Sequence, residues 1–166
     1  MTIDVVDLNR KKVSKKKVHL VFTGESFYDD GEKIEFASPI VLDGELYLTG
    51  DIINLEGKIQ TKLILSCSRC LINFSHTIDI PIHEKFSTNL DNKDDEIIFI
   101  DGDIINITDI IRNNITMSLP IKKLCSDECK GLCQHCGTNL NIASCSCAKD
   151  DFDPRLAKLK DLFSAD

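Results

Sequence analysis

Eight cysteines are the residues of this chain whose type and spacing could do chemistry. Two form Cys67-Ser-Arg-Cys70. The other six run as Cys125-x3-Cys129-x3-Cys133-x2-Cys136-x8-Cys145-x-Cys147. Zinc takes four soft or borderline ligands at tetrahedral corners, with Zn–S bonds of about 2.3 Å. A Cys-x2-Cys turn supplies two thiolates from one tight loop. In Cys133-Gln-His-Cys136-Gly137 the glycine is free to take positive φ where the chain turns away from a metal. Cys145-Ser-Cys147 offers a second close pair after an eight-residue excursion. The expected division places Cys133, Cys136, Cys145 and Cys147 around one ion, and Cys67, Cys70, Cys125 and Cys129 around another. Exchange of Cys125 or Cys129 with Cys145 or Cys147 stays open. One or two structural zinc ions are expected.

Other thiol chemistry fits the pattern less well. Disulfides would need an oxidising compartment, and eight cysteines allow 105 connectivities. The spacing matches neither common iron–sulfur run. A redox Cys-x2-Cys sits at a helix start, whereas Cys67 ends a strand-like run. His135 lies between two cysteines of one turn, a poor position for a ligand. All-cysteine sites leave no open position for water, so the metal reads as structural rather than catalytic. There is no Ser/His/Asp motif, P-loop or GxGxxG, and the four histidines form no ligand pattern with carboxylates. No enzymatic activity and no small-molecule substrate are expected.

The elements that must position these thiols are mostly strands. Strand signals cover residues 18–24, 33–37, 45–52, 58–65, 74–82 and 96–100. Ile59, Thr61, Leu63 and Leu65 alternate with Lys58, Gln60, Lys62 and Ile64. Asp43-Gly44 and Glu56-Gly57 read as turns, since glycine accommodates positive φ. Ile107, Ile110, Ile111 and Ile115 follow helical spacing, with Asn106 as N-cap and Pro120 as stop. Asp153-Pro154-Arg155 opens a short C-terminal helix. The fold class is α+β: a curved antiparallel sheet or partial barrel with one packed helix, then a small cysteine-rich zinc lobe and the C-terminal helix. The expected organisation is a basic N-terminal arm over 1–17, a β-rich core over 18–120 with its helix near 106–118, and the zinc lobe and final helix over 121–166.

Length and charge bound the partners. In 166 residues, 42% are hydrophobic and 28% charged, so a real core is available and wholesale disorder is excluded. No apolar run approaches the roughly 20 residues of a membrane-spanning helix, and no membrane association is expected. The N-terminus lacks the order of a secretory signal, and a cytoplasmic location is expected. A net charge of −7 argues against a generic polyanion binder. Yet Arg10, Lys11, Lys12, Lys15, Lys16 and Lys17 give the first 20 residues six basic side chains against two acidic ones. They are candidate phosphate contacts, or else a lysine-rich strand edge that discourages aggregation. Arg69, between Cys67 and Cys70, is a further candidate for a bidentate phosphate contact, or a solvated charge that offsets the thiolates. No aromatic stacking platform for RNA is evident.

In combination, Cys67-Ser-Arg-Cys70-Leu71, the helix ending at Ser118-Leu119-Pro120, Cys125, the run from Cys129 to Asn141, Cys145-Ser-Cys147 and Asp153-Pro154-Arg155 are specific. This pattern, over roughly residues 20–163, resembles the large ribosomal RNA subunit accumulation protein family, YceD, in its cysteine-rich form. Other members lack most of these cysteines. The resemblance implies a cytoplasmic, non-enzymatic, bacterial ribosome-biogenesis factor needed for accumulation of 23S ribosomal RNA. Its partner would be a ribosomal RNA precursor or a large-subunit assembly protein. The alternatives are a general nucleic-acid-binding zinc protein and a thiol-based redox or metal-handling protein.

Overall fold

The structure is a computed structural model and describes residues 1–29, 31–89 and 96–147. The helix expected from Asp153 lies outside the described residues. Along the chain come β1 (Thr2–Asp4), α1 (Val6–Asn9), β2 (Lys15–Phe22), β3 (Phe27–Asp29), β4 (Glu32–Phe36) and β5 (Ile40–Thr49). They are followed by β6 (Ile52–Ser66), β7 (Asn73–Ser87), β8 (Ile97–Phe99), β9 (Ile104–Asn106) and α2 (Ile107–Ser118). Most pairings are antiparallel, in an open sheet with β2, β5, β6 and β7 side by side; β8 joins β7 in parallel. Beyond the end of β5, the same edge of β6 pairs with β4 through Glu35↔Ile64 and Phe36↔Leu63, and β3 lies outside β4. A separate two-stranded piece joins β1 to β9.

The 15-residue β6 organises the core. Side chains alternate between faces along a strand, so Ile53, Leu55, Ile59, Thr61, Leu63 and Leu65 all point inward and are buried. From β7, Ile78, Ile82 and Phe86 join them, and α2 contributes Ile107, Ile111 and Ile115. The helix begins and ends for local reasons. The Asn106 side chain accepts the Thr108 amide at 3.2 Å. Leu119 takes the extended conformation that a following proline imposes.

Two sequence expectations are corrected. Gly44 and Gly57 are not turns: they face each other in mid-strand across β5 and β6. A Cβ on Gly44 would stand 2.9 Å from the Gly57 Cα, and one on Gly57 would stand 2.7 Å from the Gly44 Cα. The glycines are there because two backbones approach too closely for side chains. The actual hairpin turns at Gly50-Asp51, with Gly50 at φ +65° and Thr49 paired with Ile52. Nor are residues 1–17 a free basic arm. Ile3, Val5 and Leu8 belong to the core, β1 pairs with β9, and Lys15–Lys17 open β2.

Candidate metal centres

Both Cys-x2-Cys turns are six-residue hairpin loops of one design. Cys67–Ile72 is the connection between β6 and β7, closed by the pair Ser66↔Asn73. Cys133–Thr138 is closed by the bridge Leu132↔Asn139. In the first, the Leu71 amide donates to the Cys67 carbonyl at 2.9 Å and the Cys67 amide to the Ile72 carbonyl at 2.9 Å. In the second, the Gly137 amide donates to the Cys133 carbonyl at 2.9 Å and the Cys133 amide to the Thr138 carbonyl at 2.8 Å. The residue after the second cysteine takes positive φ in each, +58° at Leu71 and +70° at Gly137. Amides inside each loop point at its first sulfur: Arg69 and Cys70 at Cys67, His135 and Cys136 at Cys133.

These loops bring the eight thiols into two groups, Cys67, Cys70, Cys125 and Cys129, and Cys133, Cys136, Cys145 and Cys147. Within each group all four sulfurs lie within 4.8 Å of one another. This is the division expected from spacing. In the first centre the Cys67 and Cys129 sulfurs are 3.8 Å apart, and those of Cys70 and Cys125 are 3.6 Å apart. Tetrahedral bonds of about 2.3 Å place ligand sulfurs about 3.8 Å apart, whereas a disulfide is about 2.05 Å long. All eight cysteines are free thiols. The first centre is the more enclosed: Cys67, Cys70 and Cys129 are buried, with Phe74, Leu124 and Leu132 packed around them.

The electrostatics of the two groups suit a cation. Burial raises the Cys67 thiol, but amides from Cys125, Cys70 and Arg69 outweigh it and bring the pKa to about 6. The Thr138 hydroxyl and amide bring Cys136 to about 6. Cys125, facing the Cys129 and Cys70 sulfurs, is pushed up to about 12. Cys147 is likewise pushed to about 12, first by Cys136. Four clustered thiols therefore split into easily ionised and reluctant members, since several thiolates cannot share one small volume uncompensated. A divalent soft ion is the compensation this donor set suits.

The remaining candidates fall elsewhere. The Arg69 guanidinium donates to the Cys129 carbonyl at 2.8 Å, so it braces the first centre. Lys15 pairs with Glu45 at 2.9 Å and Lys16 donates to the Asp4 carbonyl at 2.7 Å. Lys11 and Lys12 stand 3.9 Å from Asp51 and 3.8 Å from Asp7. Arg10 and Lys17 are exposed. Three residues that spacing did not mark support the centres. Lys123 is buried, reaches Glu32 at 3.0 Å and Asp29 at 3.4 Å, and its carbonyl accepts the Ser68 amide at 2.8 Å. Asn141 donates to the Cys129 sulfur at 3.3 Å. Leu71 could have been found by analogy, since it follows its cysteine as Gly137 does.

Residues 55–163, a span holding all eight cysteines, match the family described as Large ribosomal RNA subunit accumulation protein YceD. The chain belongs to the YceD family. Among its relatives, the protein YlbN of Bacillus subtilis is 28% identical over 132 residues, 78% of this chain and 77% of its own. A protein of Mycobacterium leprae is 25% identical, covering 80% of this chain and 63% of its own length. The chloroplastic YCED homolog 1 of Arabidopsis thaliana, named a large ribosomal RNA subunit accumulation protein, is 23% identical over 97% of this chain. This chain spans 60% of that plant protein. No solved structure matches the chain significantly. Among the described residues, no helix is long and apolar enough to cross a membrane.

Proposed function

We propose that this YceD-family member is a non-enzymatic cytoplasmic factor supporting accumulation of large-subunit (23S) ribosomal RNA, with one structural zinc ion in each four-cysteine centre. The observation that carries the reading is the family match over residues 55–163, because that span includes both centres. Zinc bound there would neutralise thiolate charge and tie residues 125–147 to a curved sheet, supplying no reactive step.

Charge favours a protein partner. Eight thiolates and two divalent ions together add −4, which takes the formal charge from −7 to −11. Four of the six N-terminal basic residues already engage carboxylates or a carbonyl. An acidic body of this kind attracts a basic protein of the large subunit and is repelled by bare RNA. Depletion in the host should lower 23S relative to 16S ribosomal RNA, and the protein should co-sediment with large-subunit precursors. Unchanged 23S levels on depletion would refute the ribosomal role. Metal analysis of the purified chain should find two zinc ions, and a chain holding fewer than two would refute the metal assignment.

A further inference from the structure

We propose that Asn141 is a positioning residue through which filling of the second centre raises the metal affinity of the first. The inference rests on the metal assignment above and concerns how the two centres communicate.

Asn141 belongs by sequence to the second centre, in the excursion between Cys136 and Cys145, but its side chain serves the first. Its Nδ2 donates to the Cys129 sulfur at 3.3 Å. The orientation of the amide is determined, because its Oδ1 accepts the Lys130 amide at 2.7 Å and a backbone N–H can only donate. The NH2 end therefore faces the sulfur and the Asn139 Oδ1, which accepts from it at 2.9 Å. Cys129 is 3% exposed, so the contact acts where solvent screens little. Among the described residues, Asn141 is the one side-chain amide that donates to a cysteine sulfur.

The second centre completes the hold on Asn141. The excursion is weakly anchored by itself: Leu140 is half-buried, Ile142 is 78% exposed, and Asn141 and Ala143 are exposed too. Its internal support is a short turn, with the Ile142 and Ala143 amides donating to the Asn139 carbonyl at 3.1 and 3.0 Å. The Asn141 amide also donates to the Asn139 Oδ1 at 2.9 Å, and the Leu140 amide to the Gly131 carbonyl at 3.0 Å. Cys136 and Cys145 stand at its two ends, and an ion shared by them clamps both. Filling the second centre thus fixes the excursion and delivers a donor to a thiolate of the first. Such outer hydrogen bonds change metal affinity roughly 10- to 100-fold. By linkage the effect is mutual, so a filled first centre tightens the second by the same factor.

The test uses the full chain loaded with cadmium-113, whose two resonances report the centres separately, together with zinc titration against a competing chelator. Asn141→Asp is near-isosteric and keeps the acceptor for the Lys130 amide while removing the donor to sulfur. It should weaken the first centre roughly 10- to 100-fold and move that centre's cadmium resonance while leaving the second centre's resonance in place, whereas a general disturbance would move both. Cys145→Ser with Cys147→Ser should weaken the first centre by a similar factor, and adding Asn141→Asp to that pair should weaken it no further. Hydrogen exchange of the β6 and β7 amides checks that the sheet persists. Should the serine pair prevent folding, Asn141→Asp alone decides. An unmoved resonance and unchanged first-centre affinity in Asn141→Asp would overturn the coupling, as would losses that multiply in the combined chain. A wild-type chain holding fewer than two ions would instead overturn the metal assignment itself.

Discussion

Stripping the metal should unfold residues 125–147 and leave the sheet standing. The two regions draw on different sources of stability. The buried core runs from Ile3 to Ile115 and takes nothing from 119–147 except the half-buried Leu119. Within 121–147, Cys129 is the only buried hydrophobic residue among those described, with Leu124 and Leu132 half-buried beside it. Apolar burial there contributes at most about 3 kcal/mol for each leucine. A structural zinc ion contributes about 10–16 kcal/mol of apparent free energy. Zinc bound as proposed would therefore dominate the cysteine-rich segment several-fold and hardly enter the core. Hydrogen exchange read by mass spectrometry, with and without chelator, is the assay. The Leu132, Cys133, Gly137 and Leu140 amides, all bonded within the segment or to the Arg69 loop, should lose protection. The paired amides of β6 and β7 should keep it. Equal protection of 129–145 in the metal-free chain would refute the reasoning, and so would loss of the sheet together with the segment.

Three further outcomes are expected. Gly57→Ala should cost about 2–4 kcal/mol by urea unfolding, because its Cβ meets backbone. Gly31→Ala, in open space at φ +80°, should cost only about 1–2 kcal/mol, and equal costs would remove the close-approach explanation. Gly131→Ala combines φ +75° with a Cβ 3.1 Å from the Arg69 carbonyl oxygen. It should destabilise by about 2 kcal/mol and speed zinc loss to chelator, and an unchanged release rate would count against it. Lys123→Ala should cost about 1–2 kcal/mol, moderated because Glu32 is 45% exposed. Burial pulls the Lys123 pKa down, but Glu32 and then Asp29 outweigh it and hold the value above the ordinary one. That stabilisation is complete below the unfolded-state pKa and is lost as pH rises through the folded value. The stability difference should be flat near neutral pH and shrink in strong alkali; a difference that grows there contradicts the pairing.

The Cys-x2-Cys turns were legible because ligand geometry restricts spacing, whereas spacing left open whether Cys125 or Cys129 exchanges with Cys145 or Cys147. The inward face of β6 was legible from its alternation. Gly44 and Gly57 were misread because a glycine that admits a neighbouring backbone looks the same in sequence as one that turns. Gly50, which does turn, sat inside an expected strand. The expected basic arm over 1–17 passed over Ile3, Val5 and Leu8, because the partner strand β9 lies about 100 positions away. Arg69 and Asn141 depend on contacts across the fold, with a carbonyl and a sulfur that no local pattern announces.

The first centre also sets a timetable. Cys67 and Cys129 are 62 positions apart, whereas the second centre lies wholly between Cys133 and Cys147. At translation rates of roughly 5–20 residues per second, Cys67 and Cys70 leave the ribosome about 3–12 s before Cys125 and Cys129 do. The β6–β7 hairpin can form in microseconds. The nascent sheet must therefore carry a pair of thiols through seconds without their partners. That interval is when an oxidant or a wrong metal has its best access, so brief oxidative stress should damage newly made chains far more than finished ones.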